Sequence, residues 1–240
     1  MAQMLLPGNR GRGSRASGVG VALGEACFQL IETMMWRAGS GYWLRDRHLY
    51  RLAASAAHFG FACDLAATEA ALAALASRLG GGVHRVRLLL AVDGALSLSH
   101  GAIDATRRTL RLACAARPVD GGDPFLRHKT TRRDRYEAEL ARARDMNDAD
   151  EVLFVNQRGE VTEGSWTNLF VEIAGRLHTP PIAAGLLPGT FRQSLLDDPA
   201  AGVVETRLRL ADVRRADRLF LGNSVRGLMP ARLVGRALDE

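Results

Sequence analysis

The 240-residue chain is 47% apolar, carries a formal charge of +6 and has three cysteines, Cys27, Cys63 and Cys114. That composition suits one large domain or two small α/β lobes, and without a C-x-x-C spacing it suggests neither a disulfide framework nor a zinc site; no metal is expected. No stretch approaches the roughly 18 apolar residues of a membrane span, and the start lacks the apolar core of a signal peptide, so a cytoplasmic protein without membrane association is expected.

Residues 1–20, rich in Gly, Arg and Ser, read as a flexible arm. A small N-terminal α/β lobe is expected over 21–118. In it ACFQLIETMMW suits a buried strand over 26–36, turning at Gly39 and Gly41. Asp46 is placed to cap a helix with Leu49, Leu52, Ala53 and Ala56 on one face and Gly60 at its end; Asp64 is placed to cap a second helix reaching Leu79. Strands follow over 86–92 and 109–115, and ARPVDGGDP reads as the connection to a larger lobe over 119–240. That lobe opens with the segment around Lys129 and a helix over 134–144. Next come a strand beginning at Glu151, a turn at Arg158 and Gly159, a strand or loop around Glu163, a strand over 168–173 and a turn at Gly175. A helix begins after Pro188 and Gly189, and a strand over 203–206, a helical ADVRRAD, a strand RLFLG and a turn NSVRG complete the chain. The order predicts a two-lobed α/β (α+β) protein with a cleft between its lobes, where a cofactor or small substrate fits.

Of the 32 basic residues, 31 are arginines, which leaves Lys129 as the only lysine. A chain that takes guanidinium at its ordinary cation positions and keeps one primary amine points to chemistry arginine cannot perform. A buried amine loses its proton and attacks an aldehyde, whereas guanidinium stays charged. Pyridoxal 5′-phosphate asks for such an amine, with a carboxylate at its pyridine nitrogen, donors for its phosphate and a proton-transfer group beside the substrate. Lys129, in LRHKTTRRDRY, is the candidate Schiff-base amine and can double as general base and acid. Glu163, in VTEGSWTNLF, is placed to accept the pyridinium N–H. In GLLPGTFR the free backbone N–H groups of Thr190 and Phe191 begin a helix and face an anion. Ser224, in GNSVRG, adds a hydroxyl, and Arg51, in HLYRL, a charge for the phosphate.

The stretches LIETMMW, HLYRLAASAAHFGF, HKTTRRDRY, NQRGEVTEGSWTNLF, TPPIAAGLLPGTFRQSLL and GNSVRGL together resemble the class IV aminotransferase family, the fold-type IV pyridoxal-phosphate enzymes. Within it they are most similar to aminodeoxychorismate lyase domains, some of which are fused behind a synthase. The resemblance implies the same roles for Lys129, Glu163, Arg51, Thr190, Phe191 and Ser224. It also places Thr33 near the substrate for proton relay, and Asn223 and Arg226 close to cofactor and substrate carboxylate. VDGALSLSHGAID stands where stand-alone bacterial lyases carry a Gly-rich, Arg-Gly-Tyr-like loop. The implied reaction converts 4-amino-4-deoxychorismate to 4-aminobenzoate and pyruvate, in folate biosynthesis. A homodimer is implied, and an aminodeoxychorismate synthase is a candidate partner. The alternative within the family is transamination of branched-chain or D-amino acids. From a different class, the positive charge allows a non-catalytic nucleic-acid-binding protein, against which stand scattered arginines and only 6% aromatic residues.

Overall fold

The structure, a computed structural model, describes residues 28–103 and 108–235; the arm expected over 1–20 lies outside them. Strand β1 (Leu30–Arg37) is followed by the short β2 (Gly41–Tyr42), helix α1 (Arg45–Phe59), helix α2 (Leu65–Ala76), β3 (Val83–Leu90) and β4 (Leu96–Ala102). The strands form an antiparallel sheet in the order β2-β1-β3-β4. Leu30, Met34 and Trp36 of β1 and Val86, Leu88 and Leu90 of β3 share a core with Leu49, Leu52, Leu72 and Leu75 of the two helices. The period of two on the strands thus meets the helical stripes read from the sequence.

Helix starts follow two different routes. Asp64 caps α2, its Oδ1 accepting from the Ala67 N–H at 3.0 Å. Asp46 does not cap α1: the helix starts two residues earlier than that cap would set it, behind Leu44 in a left-handed conformation, and Asp46 sits in the first turn. There its carboxylate faces the positive end of the helix dipole instead. Gly60, with φ at 75°, ends α1 as expected.

The rest of the chain gives β5 (Leu110–Cys114), α3 (Asp134–Asn147), β6 (Glu151–Val155), β7 (Val161–Gly164), β8 (Asn168–Ile173) and β9 (Arg176–Thr179). After these come α4 (Thr190–Leu196), β10 (Val204–Glu205), α5 (Leu210–Arg214), β11 (Arg218–Asn223) and β12 (Gly227–Leu233). The second sheet runs β10-β9-β8-β11-β12-β5-β6-β7, and an extra pairing of β7 with β8 closes six of its strands into a barrel. Strand β5, read as the last before the inter-lobe connection, belongs to this sheet and lies parallel to both β12 and β6. A parallel pair needs a long crossover, and the segment carrying Lys129 and α3 supplies the one from β5 to β6.

Both faces of these strands are covered. Leu112 and Leu153 point into the cluster with Leu169, Val171 and Leu221, while Ala113, Val152 and Phe154 pack under α3. That explains the apolar run VLFV that follows Glu151 in β6. Among the described residues no helix is long and apolar enough to cross a membrane.

The two sheets are joined at the lysine segment. Lys129 accepts at its carbonyl from the Ile31 N–H at 2.7 Å, Thr131 donates to Gln29 at 2.9 Å, and Leu30 bridges Thr130. Lys129 is therefore held as an added strand along β1, at the mouth of the barrel.

Candidate active site

A cavity of about 490 Å³ lies where the sheets meet. Thr33, Arg51, Lys129, Glu163, Thr190, Phe191, Asn223, Ser224 and Arg226 all line it. They come from β1, α1, the crossover, β7, α4, the end of β11 and the turn after it, so the fold gathers residues up to 193 positions apart.

The lysine end has the electrostatics of a reactive amine. Loss of water around Lys129, with the Arg133 and Arg51 charges adding to it, lowers its pKa to about 7 against the opposing pull of Glu32 and Glu163. A large part of the population is then the free base near neutrality, the form that attacks an aldehyde. Attachment of pyridoxal phosphate to the cofactor-free protein is accordingly expected to quicken as pH rises through about 7 and to level off above it. An ordinary lysine would keep accelerating toward about 10.4. Stopped-flow absorbance across pH 5.5–9.5 reads the profile, and a rate still climbing at the upper end would show an unperturbed amine.

At the other end Glu163 is buried, which pushes its carboxyl up to about 8 although the Leu187 N–H, the Tyr136 hydroxyl and Lys129 favour the anion. Tyr136 Oη donates to Glu163 Oε1 at 3.1 Å and Asn168 Nδ2 to Oε2 at 3.3 Å. Tyr136 is itself pushed up by its burial and by Glu163, so it remains a donor. Glu163 thus holds a proton near neutrality, and a carboxyl in that state would suit a cofactor's ring nitrogen.

The remaining candidates are tied into the walls. The Phe191 ring packs against Phe170 and Trp43. Ser224 Oγ donates to the Thr33 carbonyl at 3.1 Å. Asn223 Oδ1 accepts from the backbone N–H groups of Val225 and Arg226, each at 2.9 Å, and so shapes the turn. Arg51 grips Glu32 through Nε at 2.9 Å and Nη2 at 2.7 Å, and donates from Nη1 to the Pro188 carbonyl at 3.1 Å. Its charge is therefore shared with a carboxylate, which the sequence reading did not foresee.

Glu32 and His48 are the partners that reading missed, with Arg133 and Tyr136. A glutamate inside the apolar strand LIETMMW was the available signal, because a buried carboxylate requires a paired cation. Arg133 donates to the Ser165 carbonyl and lies over the Tyr136 ring at 5.0 Å.

These residues fit pyridoxal phosphate. The volume falls within the usual range for small-molecule pockets, and an amine and a proton-bearing carboxyl share its walls. Gly189 lets the Asn168 side chain lie directly against the backbone at the cavity wall: a Cβ there would lie 1.9 Å from Asn168 Oδ1.

A lysine strand laid across a sheet at the mouth of a six-stranded barrel, facing a buried glutamate, has the build of a fold-type IV pyridoxal-phosphate enzyme. The chain belongs to the amino-transferase class IV family, whose model matches residues 29–234, and it is a pyridoxal-phosphate-dependent enzyme. A Mesorhizobium loti protein provisionally named an amino-acid aminotransferase is 40% identical over 86% of this chain and all of that one, with a TM-score of 0.79. A 4-amino-4-deoxychorismate lyase from Pseudomonas aeruginosa shares the fold at 24% identity, covering 85% of this chain and 82% of that one, with a TM-score of 0.72. A Methanocaldococcus jannaschii protein provisionally named a branched-chain-amino-acid aminotransferase is 32% identical over 95 residues, which span 38% of this chain and 33% of that protein's length. Family membership sets aside the non-catalytic nucleic-acid reading.

Proposed function

We propose that this enzyme is a lyase that converts 4-amino-4-deoxychorismate to 4-aminobenzoate and pyruvate. The observation that carries the reading is the crowd of arginines on the cavity wall. Arg85, Arg87, Arg132, Arg133 and Arg226 line it alongside Thr33. Arg87 is pushed below the usual guanidinium range by loss of water and by the Arg133 and Arg85 charges. Such crowding is relieved by an anion, and the lyase substrate brings two carboxylates, whereas a branched-chain amino acid brings one carboxylate and an apolar side chain.

Bound pyridoxal phosphate supplies an aldehyde for the substrate amine and a ring that takes up the electrons left on the amine-bearing carbon. Lys129 would hold the aldehyde between turnovers, and its neutral Nζ, once free, would take the proton from the amine-bearing carbon of the substrate. Glu163 keeps the ring nitrogen protonated. Thr190, Phe191, Ser224 and Arg51 hold the phosphate, and Asn223 and Arg226 meet a substrate carboxylate. Thr33 relays a proton beside the leaving enolpyruvyl oxygen, and aromatisation drives its loss. No amino acceptor is required. A homodimer, a synthase as the source of substrate, a role in folate biosynthesis and residence in the cytoplasm belong to the same proposal.

A second reading, transamination of branched-chain or D-amino acids, is favoured by the likeness to the Mesorhizobium loti and Methanocaldococcus jannaschii proteins. It uses the same cofactor residues but needs a keto acid to complete its cycle. The two part on a simple assay: with aminodeoxychorismate alone, pyruvate and 4-aminobenzoate are expected in equal amounts over many turnovers. Formation of pyridoxamine phosphate from L-leucine or D-alanine, with no 4-aminobenzoate from aminodeoxychorismate, would replace the lyase reading. Thr33→Ala is expected to slow elimination about 100-fold with cofactor affinity unchanged, because a proton-relaying hydroxyl acts in the transition state. Titration of cofactor absorbance beside the rate checks both halves of that expectation.

A further inference from the structure

The phosphate end of the cavity is backed by a line of polar groups that no step above uses. Glu32 and His48 are 1% and 0% exposed. Glu32 Oε2 lies 2.5 Å from His48 Nδ1, and His48 Nε2 lies 3.2 Å from Thr190 Oγ1. We propose that Glu32 and His48 are positioning residues for the Thr190 hydroxyl, and that seating a phosphate-bearing ligand against Arg51 and Thr190 protonates His48. This rests on the reading that puts the phosphate at those two residues.

Counting hydrogens leads there. Burial pushes the Glu32 carboxyl up, but Arg51 and His48 outweigh it and hold it at about 2, so it is an acceptor at any working pH. His48 Nδ1 therefore carries a proton in either ring state, and only Nε2 titrates. When Nε2 is bare, the Thr190 hydroxyl donates to it and turns its lone pairs to the cavity, where they repel a phosphate oxygen. When Nε2 is protonated, the ring donates to Oγ1 and the hydroxyl proton is released to point at the ligand.

Charge runs the same way. Glu32 offsets Arg51, so this end of the empty site is close to neutral, and imidazolium gives it the net positive charge that a dianion meets favourably. The groups facing His48 are Glu32 from β1, Arg51 from the next turn of α1, Thr190 from α4 and the Lys129 amine from the crossover. Burial, aided by Arg51 and Lys129 against Glu32, lowers the His48 pKa in the empty site. The ligand's charge raises it again, and the proton comes from solvent.

Pyridoxamine 5′-phosphate and pyridoxamine test this, because neither can condense with Lys129 and they differ only in the phosphate. Calorimetric titration at pH 7 in buffers of different ionisation enthalpy reads the protons bound. After allowance for the ester's own ionisation near about 6, the phosphate is expected to bring uptake of up to about one proton. Nitrogen-15 spectra of the histidine rings are expected to show His48 Nε2 passing from unprotonated to protonated at saturation. His48→Gln is expected to abolish the extra uptake. Thr190→Val, which tests the line without changing the buried ring, is expected to leave Nε2 unprotonated and to weaken the phosphate ester about 10-fold relative to pyridoxamine. A His48 ring that stays unprotonated in the saturated wild-type complex, or uptake that survives His48→Gln, overturns the relay. Equal affinity for the ester and for pyridoxamine overturns the placement of the phosphate on which it rests.

Discussion

Lys129→Arg is expected to keep the fold and abolish turnover. The segment is held by backbone bonds, Ile31 N–H to the Lys129 carbonyl and Thr131 N–H to Gln29, which do not involve the side chain. Guanidinium remains a cation and forms no stable bond to the aldehyde, so both the anchor for the cofactor and the base for the substrate proton disappear together. A positioned base alone is worth about 10²–10⁴-fold, and loss of the anchor compounds it. The variant is expected to match wild type in circular dichroism and to lack the long-wavelength cofactor band, with turnover at background. Turnover above a tenth of wild type would mean that another group performs the proton transfer.

Glu163→Gln carries the second largest effect and separates chemistry from stability. Glutamine has the same shape but leaves the ring nitrogen without a carboxylate, so electrons released at the substrate carbon are poorly received; a loss of about 100-fold, or about 2.7 kcal/mol, is expected. Stability moves the other way. Because the folded pKa of Glu163 is raised to about 8, the native state keeps its proton where the unfolded chain has lost it. Stability contributed below the unfolded value is therefore lost as pH rises toward 8, by about 1.4 kcal/mol per unit. Glutamine does not titrate, so the cofactor-free variant is expected to be about 3 kcal/mol more stable than wild type at pH 7 and to equal it at pH 4. Urea denaturation at the two pH values measures this. A variant less stable than wild type at pH 7 would show that the wild-type carboxylate is ionised and structurally required.

Much of this molecule was legible in the chain because its signals are local. Strand β8 is bounded by Ser-Trp-Thr and Ala-Gly, and its expected range, 168–173, is the observed one. Asp64 and Gly60 marked helix ends by chemistry that acts within four residues. β4, β9 and β12 were missed, two of them for reasons visible in their residues. β4, LSLSHGA, is an edge strand with one partner, so its residues stay half-exposed and its polar alternation reads as loop. β12 contains Pro230, an argument against a central strand, but the parallel ladder to β5 begins only at Ala231, so the missing N–H falls before it.

The site divides in the same manner. Lys129 and Glu163 follow from chemistry that few residue types can perform. The partners that tune them are spatial: Glu32 and His48 are 16 residues apart, and Tyr136 reaches Glu163 across 27. Nothing in the spacing of those pairs announces them, because the contacts are made by a crossover and by strand register. β5 likewise joins the barrel through long-range parallel pairing that its own sequence does not encode.

The central claim, that one lysine serves as the cofactor's anchor, has a direct chemical test. The cofactor-loaded protein is reduced with borohydride, digested, and its peptides are searched for the added pyridoxyl mass. Because Lys129 is the only lysine, the label is expected at one site, on the peptide that contains it. A cofactor-loaded protein whose label appears at the N-terminal amine, or on no peptide containing Lys129, would contradict the account.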